Sequence, residues 1–202
     1  MKRLNILAPL LAFALSLSAA GKADQKLDAC VKALASHPSV TIAYQLSSGG
    51  NSTEGAMTLA GDKFLLDSAP MAIWFNGATQ WTYAKAQKEV SVTNPTPEEL
   101  REINPMLVLD SFRKNFTTEL LEAKGPTTSV RLKPRGASGA IDAAVVNIDS
   151  NTNLPKSIIL TLADRRSVSI RIKSVKPNIK LNDSSFRFNK ALYPGVDVID
   201  LR

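Results

Sequence analysis

Through most of this chain the apolar residues recur at every second position. Met57 and Leu59, Phe64 and Leu66, Ile73 and Phe75, Trp81 and Tyr83, and Val90 and Val92 form five such pairs. Side chains two apart stand on one face of an extended strand, so each pair predicts a strand with one buried face. Turn signals such as Gly61-Asp62 and Asn76-Gly77 separate them, and strands this close together join as an antiparallel meander. Asn76-Gly77 is the strongest of these signals, because a tight hairpin needs positive φ, which Asn and Gly adopt at little cost. The second half repeats the habit over Ser129–Leu132, Ala143–Ile148, Ser157–Leu162 and Ser167–Val175, punctuated by Gly136 to Gly139, Asn153-Leu154-Pro155 and Asp164-Arg165. No fixed-period repeat and no low-complexity tract interrupts it.

Helical spacing intervenes twice. Residues 24–36 place Leu27, Val31 and Leu34 on one face, and His37-Pro38 closes the run, which predicts an amphipathic N-terminal helix. Midway, Thr96-Pro97-Glu98-Glu99 offers a capping box with proline at the first helical position. Asn104-Pro105 starts a second short helix, "PMLVLDSF", with Met106, Leu107, Leu109 and Phe112 apolar.

The first residues read as a leader rather than as fold. Lys2 and Arg3 precede the apolar run "LNILAPLLAFALSLSAA", which closes on small residues in the pattern of a secretory signal. Cleavage is expected after Ala20, with Ala23 the alternative, leaving residues 21–202 as a single domain. A membrane span is disfavoured because Pro9 interrupts an apolar run shorter than the ~20 residues needed. Cys30 lies too far past that run for lipid attachment, and Asp28 stands where a small residue is wanted. Without residues 1–20, which contain no acid, the formal charge falls from +7 to +5 as Lys2 and Arg3 are lost. The remaining cations are scattered, and those of "ADRRSVSIRIKSVK" alternate with Val168, Ile170, Ile172 and Val175 as the solvent face of a strand. No nucleic-acid surface is expected.

Catalytic equipment is sparse. The one histidine, His37, sits beside a proline at a helix end, so no base is placed for a hydrolytic triad. One His and one Cys cannot make a structural metal site, and the single cysteine excludes an intramolecular disulfide. Cys30 fits a small buried hydrophobe. Asp142 and Asp149 bracket a strand and are too far apart along it to act as a pair. Gly49-Gly50-Asn51 is a hairpin-type loop without the Lys-Ser/Thr of a phosphate loop. Neither an enzyme nor a cofactor is expected; a secreted β-rich domain of this kind is a binder or carrier.

"MAIWFNGATQWTYAKAQKEVSVTNPTPEEL" followed by "INPMLVL" resembles the central segment of the LolA family, periplasmic carriers of outer-membrane lipoproteins. Trp74-Phe75-Asn76-Gly77, Trp81-Thr82-Tyr83 and Glu89-Val90-Ser91-Val92 carry the likeness, in the family's order of strand, turn, aromatic strand and strand before the lid. "FRFNKALYPGVDVIDL" is similar to the family's C-terminal ending, and "LPKSIILTLADRRSVSIRIKSV" to its paired later strands.

The resemblance implies a mainly β fold: an incomplete, half-open antiparallel barrel of about eleven strands, covered by an N-terminal helix and short inserted lid helices. Phe186 and Phe188 would face inward, with Val196–Leu201 packed onto the body as a buried tail or forming a last edge strand. The implied cavity wall is Met57, Leu59, Phe64, Leu66, Trp74, Trp81, Tyr83, Val90 and Val92, although Trp74 is out of phase with Ile73 and Phe75. Met106, Leu107, Leu109 and Phe112 would form the lid. The implied cargo is lipoprotein acyl chains or another lipid, received by a monomer from an inner-membrane lipoprotein-releasing transporter and passed to an outer-membrane acceptor. A glycolipid or free-lipid carrier and an envelope sensor or regulator are the alternatives. One departure stands out: where better-known members have a lid-controlling arginine, this chain reads Ala60-Gly61-Asp62-Lys63, leaving Lys63 as a point-charge donor to the lid.

Overall fold

The computed structural model describes residues 10–97, 99, 100, 112–121, 125–136 and 141–202, with side chains from residue 21 onward. The expected leader, residues 1–20, and the lid positions Met106, Leu107 and Leu109 therefore lie outside the residues described with side chains. No described helix is long and apolar enough to cross a membrane.

Strand β1 (Val40–Ser48), at a place where no strand was expected, precedes the alternating segments, which form β2 (Asn51–Ala60), β3 (Lys63–Ser68), β4 (Met71–Phe75), β5 (Gln80–Ala84) and β6 (Glu89–Thr93). After the helical insertion come β7 (Phe116–Leu120), β8 (Thr127–Pro134), β9 (Ile141–Asp149), β10 (Pro155–Leu162), β11 (Ser167–Pro177) and β12 (Asp197–Asp200). They make one sheet in the order β12-β6-β5-β4-β3-β2-β1-β11-β10-β9-β8-β7, with β12 and β7 as its two edges. The half-open, mainly β architecture is thus present, with twelve strands among the described residues where about eleven were expected. Each pairing is antiparallel except β12 on β6, which is parallel.

Local chemistry sets the turns. Gly49 and Gly50 both take positive φ, +56° and +83°, and close a two-residue loop between the paired Ser48 and Asn51. Asn76-Gly77 works differently from a tight hairpin: Phe75 pairs with Gln80, and the Asn76 carboxamide oxygen accepts from the Ala78 and Thr79 amides at 3.0 and 2.9 Å. The loop is four residues long, held by an Asx turn. In β11 the apolar phase slips between Ile172 and Val175. A bulge explains it, since Ala43 pairs with Ser174 and Tyr44 with Ile172, leaving Lys173 extra. Beside it Tyr44 lies across Gly55, where an added Cβ would come within 2.6 Å of the tyrosine oxygen and 2.8 Å of the Asp67 carbonyl oxygen.

The helix α1 (Leu10–Ala35) covers one half of the sheet. Ala23, Leu27 and Cys30 are buried there against Val130, Leu132, Val146, Ile158 and Ile170, with Val31 and Leu34 packed alongside. Polar groups fix its position. Lys26 donates to the Asn153 side-chain oxygen at 2.7 Å, and Thr118 donates to Asp24 at 2.5 Å. Arg113, on the short helix α2 (Phe112–Asn115), forks onto Asp28 and lies 3.7 Å from Asp24. Phe112 is buried in the same cluster as Leu27 and Cys30.

Burial pushes the Cys30 thiol up to about 12, with nearby Lys26 opposing only in part. At pH 8 the folded protein should therefore be alkylated about a thousandfold more slowly than an exposed cysteine. Labelling that instead proceeds at the exposed rate without denaturant would show that α1 does not stay docked.

The β9–β10 turn is closed by Asp149, whose carboxylate accepts from the Asn151 and Thr152 amides at 3.0 Å each. Those amides lower its pKa below the usual carboxylate value. Its contribution to stability is therefore present above the unfolded pKa and lost as pH falls through the folded one. Asp149→Asn keeps the acceptor but cannot titrate, so urea midpoints of the two proteins should converge as pH falls through the Asp149 titration. An offset that stays constant from neutral to strongly acid pH would rule this out.

In the C-terminal segment, where the Phe186-x-Phe188 alternation reads as a strand, residues 183–186 and 190–192 form 3₁₀ turns instead, the Asn182 side chain accepting from the Ser185 amide and the Asn189 side chain from the Ala191 amide. Val196–Leu201 takes the edge-strand alternative, as β12. The tail is not buried throughout. Val196 is enclosed, but Val198, Ile199 and Leu201 are exposed. Backbone bonds hold it instead, with the Asp197 amide donating to the Lys88 carbonyl and the Leu201 amide to the Val92 carbonyl.

Candidate functional site

Register decides which side chains meet. Across β1 to β6 one row runs Ile42, Met57, Leu66, Ile73, Thr82 and Ser91. The next runs Val40, Leu59, Phe64, Phe75, Gln80 and Thr93. Directly paired residues lie on the same face, so both rows share the face that carries Tyr44. Tyr44 packs against both the helix-covered cluster and the cluster of Met57, Phe64, Leu66, Ile73 and Phe75. This is the inner face. Phe64 and Phe75 stack with ring centroids 5.3 Å apart, and Leu59 and Leu100 pack against the group.

The helical stretch bearing Leu100 begins as the capping box requires. The Thr96 amide donates to the Glu99 carboxylate at 2.7 Å, and the Glu99 amide to the Thr96 hydroxyl at 3.3 Å. The cap aims the chain from β6 toward the inner face, where Leu100 lands.

The nine expected wall residues do not share this face. Met57, Leu59, Phe64 and Leu66 do. Trp74, Trp81, Tyr83, Val90 and Val92 stand on the outer face, since Trp74 pairs with Trp81, Trp81 with Val92, and Tyr83 with Val90. There the C-terminal segment covers them. Phe188 and Tyr193 lie 5.5 and 5.7 Å from the Trp74 ring, Tyr193 lies 5.2 Å from Tyr83, and Val196 is buried against Val90 and Val92. Ile73 and Phe75 take the vacated places on the inner wall. Turn parity could have found them: an even number of loop residues pairs odd positions with even ones, so Trp81 must share a face with Trp74.

Chemically the inner face is graded. On β2, β3 and β4 it is apolar, and on β5 and β6 it presents Gln80, Thr82, Ser91 and Thr93. It carries no cluster of His, Cys, Asp or Glu able to hold a metal among the described residues. Two open pockets of about 500 and 540 Å³ lie elsewhere, one around Lys63 and residues 178–183, the other between the β9–β10 turn and β11.

Sequence comparison decides the family. The model for "Outer membrane lipoprotein carrier protein LolA" matches residues 12–163. The chain belongs to the LolA family. No protein of curated function matches it in sequence. Among solved structures, an uncharacterized conserved protein from Thermus thermophilus shares the fold, with a TM-score of 0.59 at 11% identity over 89% of this chain and 99% of the other. A LolA superfamily protein from Nitrosomonas europaea aligns over 82% of this chain and 97% of its own, at 12% identity and TM-score 0.44. MucB in complex with MucA from Pseudomonas aeruginosa aligns over 84% and 62%, at 10% identity and TM-score 0.42.

Within this LolA-family chain Lys63 has a partner in the C-terminal segment. It pairs with Asp183 of the C-terminal 3₁₀ turn at 2.8 Å, and this pairing lowers the Asp183 pKa. The cation that opens β3 thus ties the C-terminal segment to the sheet.

Proposed function

We propose that this protein is a periplasmic carrier that shelters the acyl chains of lipoproteins on its inner face and moves them from the inner to the outer membrane. The observation that carries the proposal is the unbroken apolar patch of Met57, Leu59, Phe64, Leu66, Ile73 and Phe75 on the inner face of a LolA-family sheet. Each acyl methylene kept from water is worth about 0.8 kcal/mol, so even part of a long chain supplies ample drive for capture. Methionine and leucine suit a wall that must fit mobile chains. Phe112 contributes by anchoring the C-terminal end of the lid segment to α1, and Met106, Leu107 and Leu109 by covering the chains. An inner-membrane releasing transporter as donor and an outer-membrane acceptor complete the route. Docking to acidic partners falls to Lys88 more than to Lys85, which is held by Asp67 and the Ser68 carbonyl at 2.6 Å each.

Native mass spectrometry of the mature protein from its own periplasm, followed by extraction of bound material, tests the proposal. Co-purified acylated protein is expected. A free glycolipid or phospholipid would reassign the cargo, and an empty protein that also fails to bind an apolar dye would refute carriage.

A further inference from the structure

The polar end of the inner face holds one buried group with an unmet requirement. Gln80 is 6% exposed and shares its row with Phe64 and Phe75. Its side-chain nitrogen donates to the Thr82 hydroxyl at 3.1 Å, while its side-chain oxygen is buried without a hydrogen-bond partner among the described residues. Buried acceptors are nearly always satisfied, and an orphan beside an apolar wall calls for an explanation. Thr82, Ser91 and Thr93 share the face with it, so polarity rises from β4 to β6 across one continuous surface.

We infer that Gln80 is the polar anchor of the cargo site: its side-chain oxygen accepts the N–H of a secondary amide that joins an acyl chain to its head, while the chain lies over Phe64, Phe75 and Ile73. This deepens the carrier proposal and rests on it. The ligand class is an N-acylated amphiphile. An ester-linked chain lacks the donor and would leave the oxygen unpaired, so selection comes from the site's own unmet bond.

Two probes of equal chain length separate the idea from carriage in general. Dodecanoyl ethanolamide carries the N–H, and 2-hydroxyethyl dodecanoate has an oxygen in its place; each displaces an apolar dye from the protein. The wild type should prefer the amide by about fivefold, the worth of one net hydrogen bond. In Gln80→Met the preference should vanish through loss of amide affinity alone, with the melting temperature of the free protein unchanged or raised, because an orphaned acceptor is gone. Equal wild-type affinities would overturn the anchor and leave the carrier proposal standing; binding of neither probe would overturn both. A persisting preference in Gln80→Met would also refute it, as would a lowered melting temperature with the preference intact. A dodecanoyl dipeptide amide then distinguishes the source of the N–H. Tighter binding than the ethanolamide assigns it to a lipoprotein N-terminus, and equal binding to a free N-acyl lipid.

Discussion

Leu66→Glu should abolish acyl binding. Leu66 sits mid-row between Met57 and Ile73 and, at 9% exposure, is the least enclosed member of the inner cluster. A carboxyl group there removes apolar contact worth about 2 kcal/mol. It also obliges any bound chain to desolvate a polar group with no partner, a further ~2 kcal/mol. The combined loss corresponds to a factor of at least about 100 in affinity for a dodecanoyl probe. Some stability will go too, so binding should be measured by dye displacement below the variant's own melting transition. Undiminished affinity in a folded variant would mean that chains do not pass over this row.

The second large effect lies on the other face. Trp74→Ala should cost about 3–5 kcal/mol of stability, as expected for truncating a buried tryptophan, because its ring organises the edge contacts with Phe188 and Tyr193. The C-terminal segment would lose its hold on β4 and β5, with Val196 as the remaining apolar plug. Acyl affinity should stay within about twofold of wild type, since the proposed cargo site lies on the inner face. Urea unfolding and dye displacement on the same sample give both numbers. A stable Trp74→Ala protein that no longer binds would place the cargo under the C-terminal segment instead.

Much of the fold was legible because alternation is a direct image of the pleat. Strands β2 to β6 and β8 to β11 fall where period-two spacing and turn residues put them. The capping box at Thr96 and the apolar stripe of α1 formed for the reasons their residue types suggest. Strand β7 was missed: Phe116 is its only fully buried residue and Arg113, just before it, continues a helix. The Phe186-x-Phe188 spacing looked like a strand, but Asn182 and Asn189 cap successive 3₁₀ turns there and bend the chain across the outer face.

The site was harder to read. Alternation says which residues of one strand share a face, but not which face is inner in the next strand. In β4 all of Ala72 to Phe75 are buried, so its periodicity is silent and the choice passes to register. The aromatic residues of β5 drew attention by size, yet the inward positions of that strand are Gln80 and Thr82. Large side chains there belong to the contact with Tyr193 and Phe188. A polar residue on an otherwise apolar face is invisible to a search for apolar stripes.

Which face of the sheet an acyl chain contacts can be read by photo-crosslinking. An acyl chain bearing a diazirine near its end, bound to the wild-type protein and irradiated, should attach to Met57, Leu66 or Ile73, located by peptide mapping. Attachment confined to Trp81, Tyr83 or Val90 would contradict the account and move the cargo to the outer face.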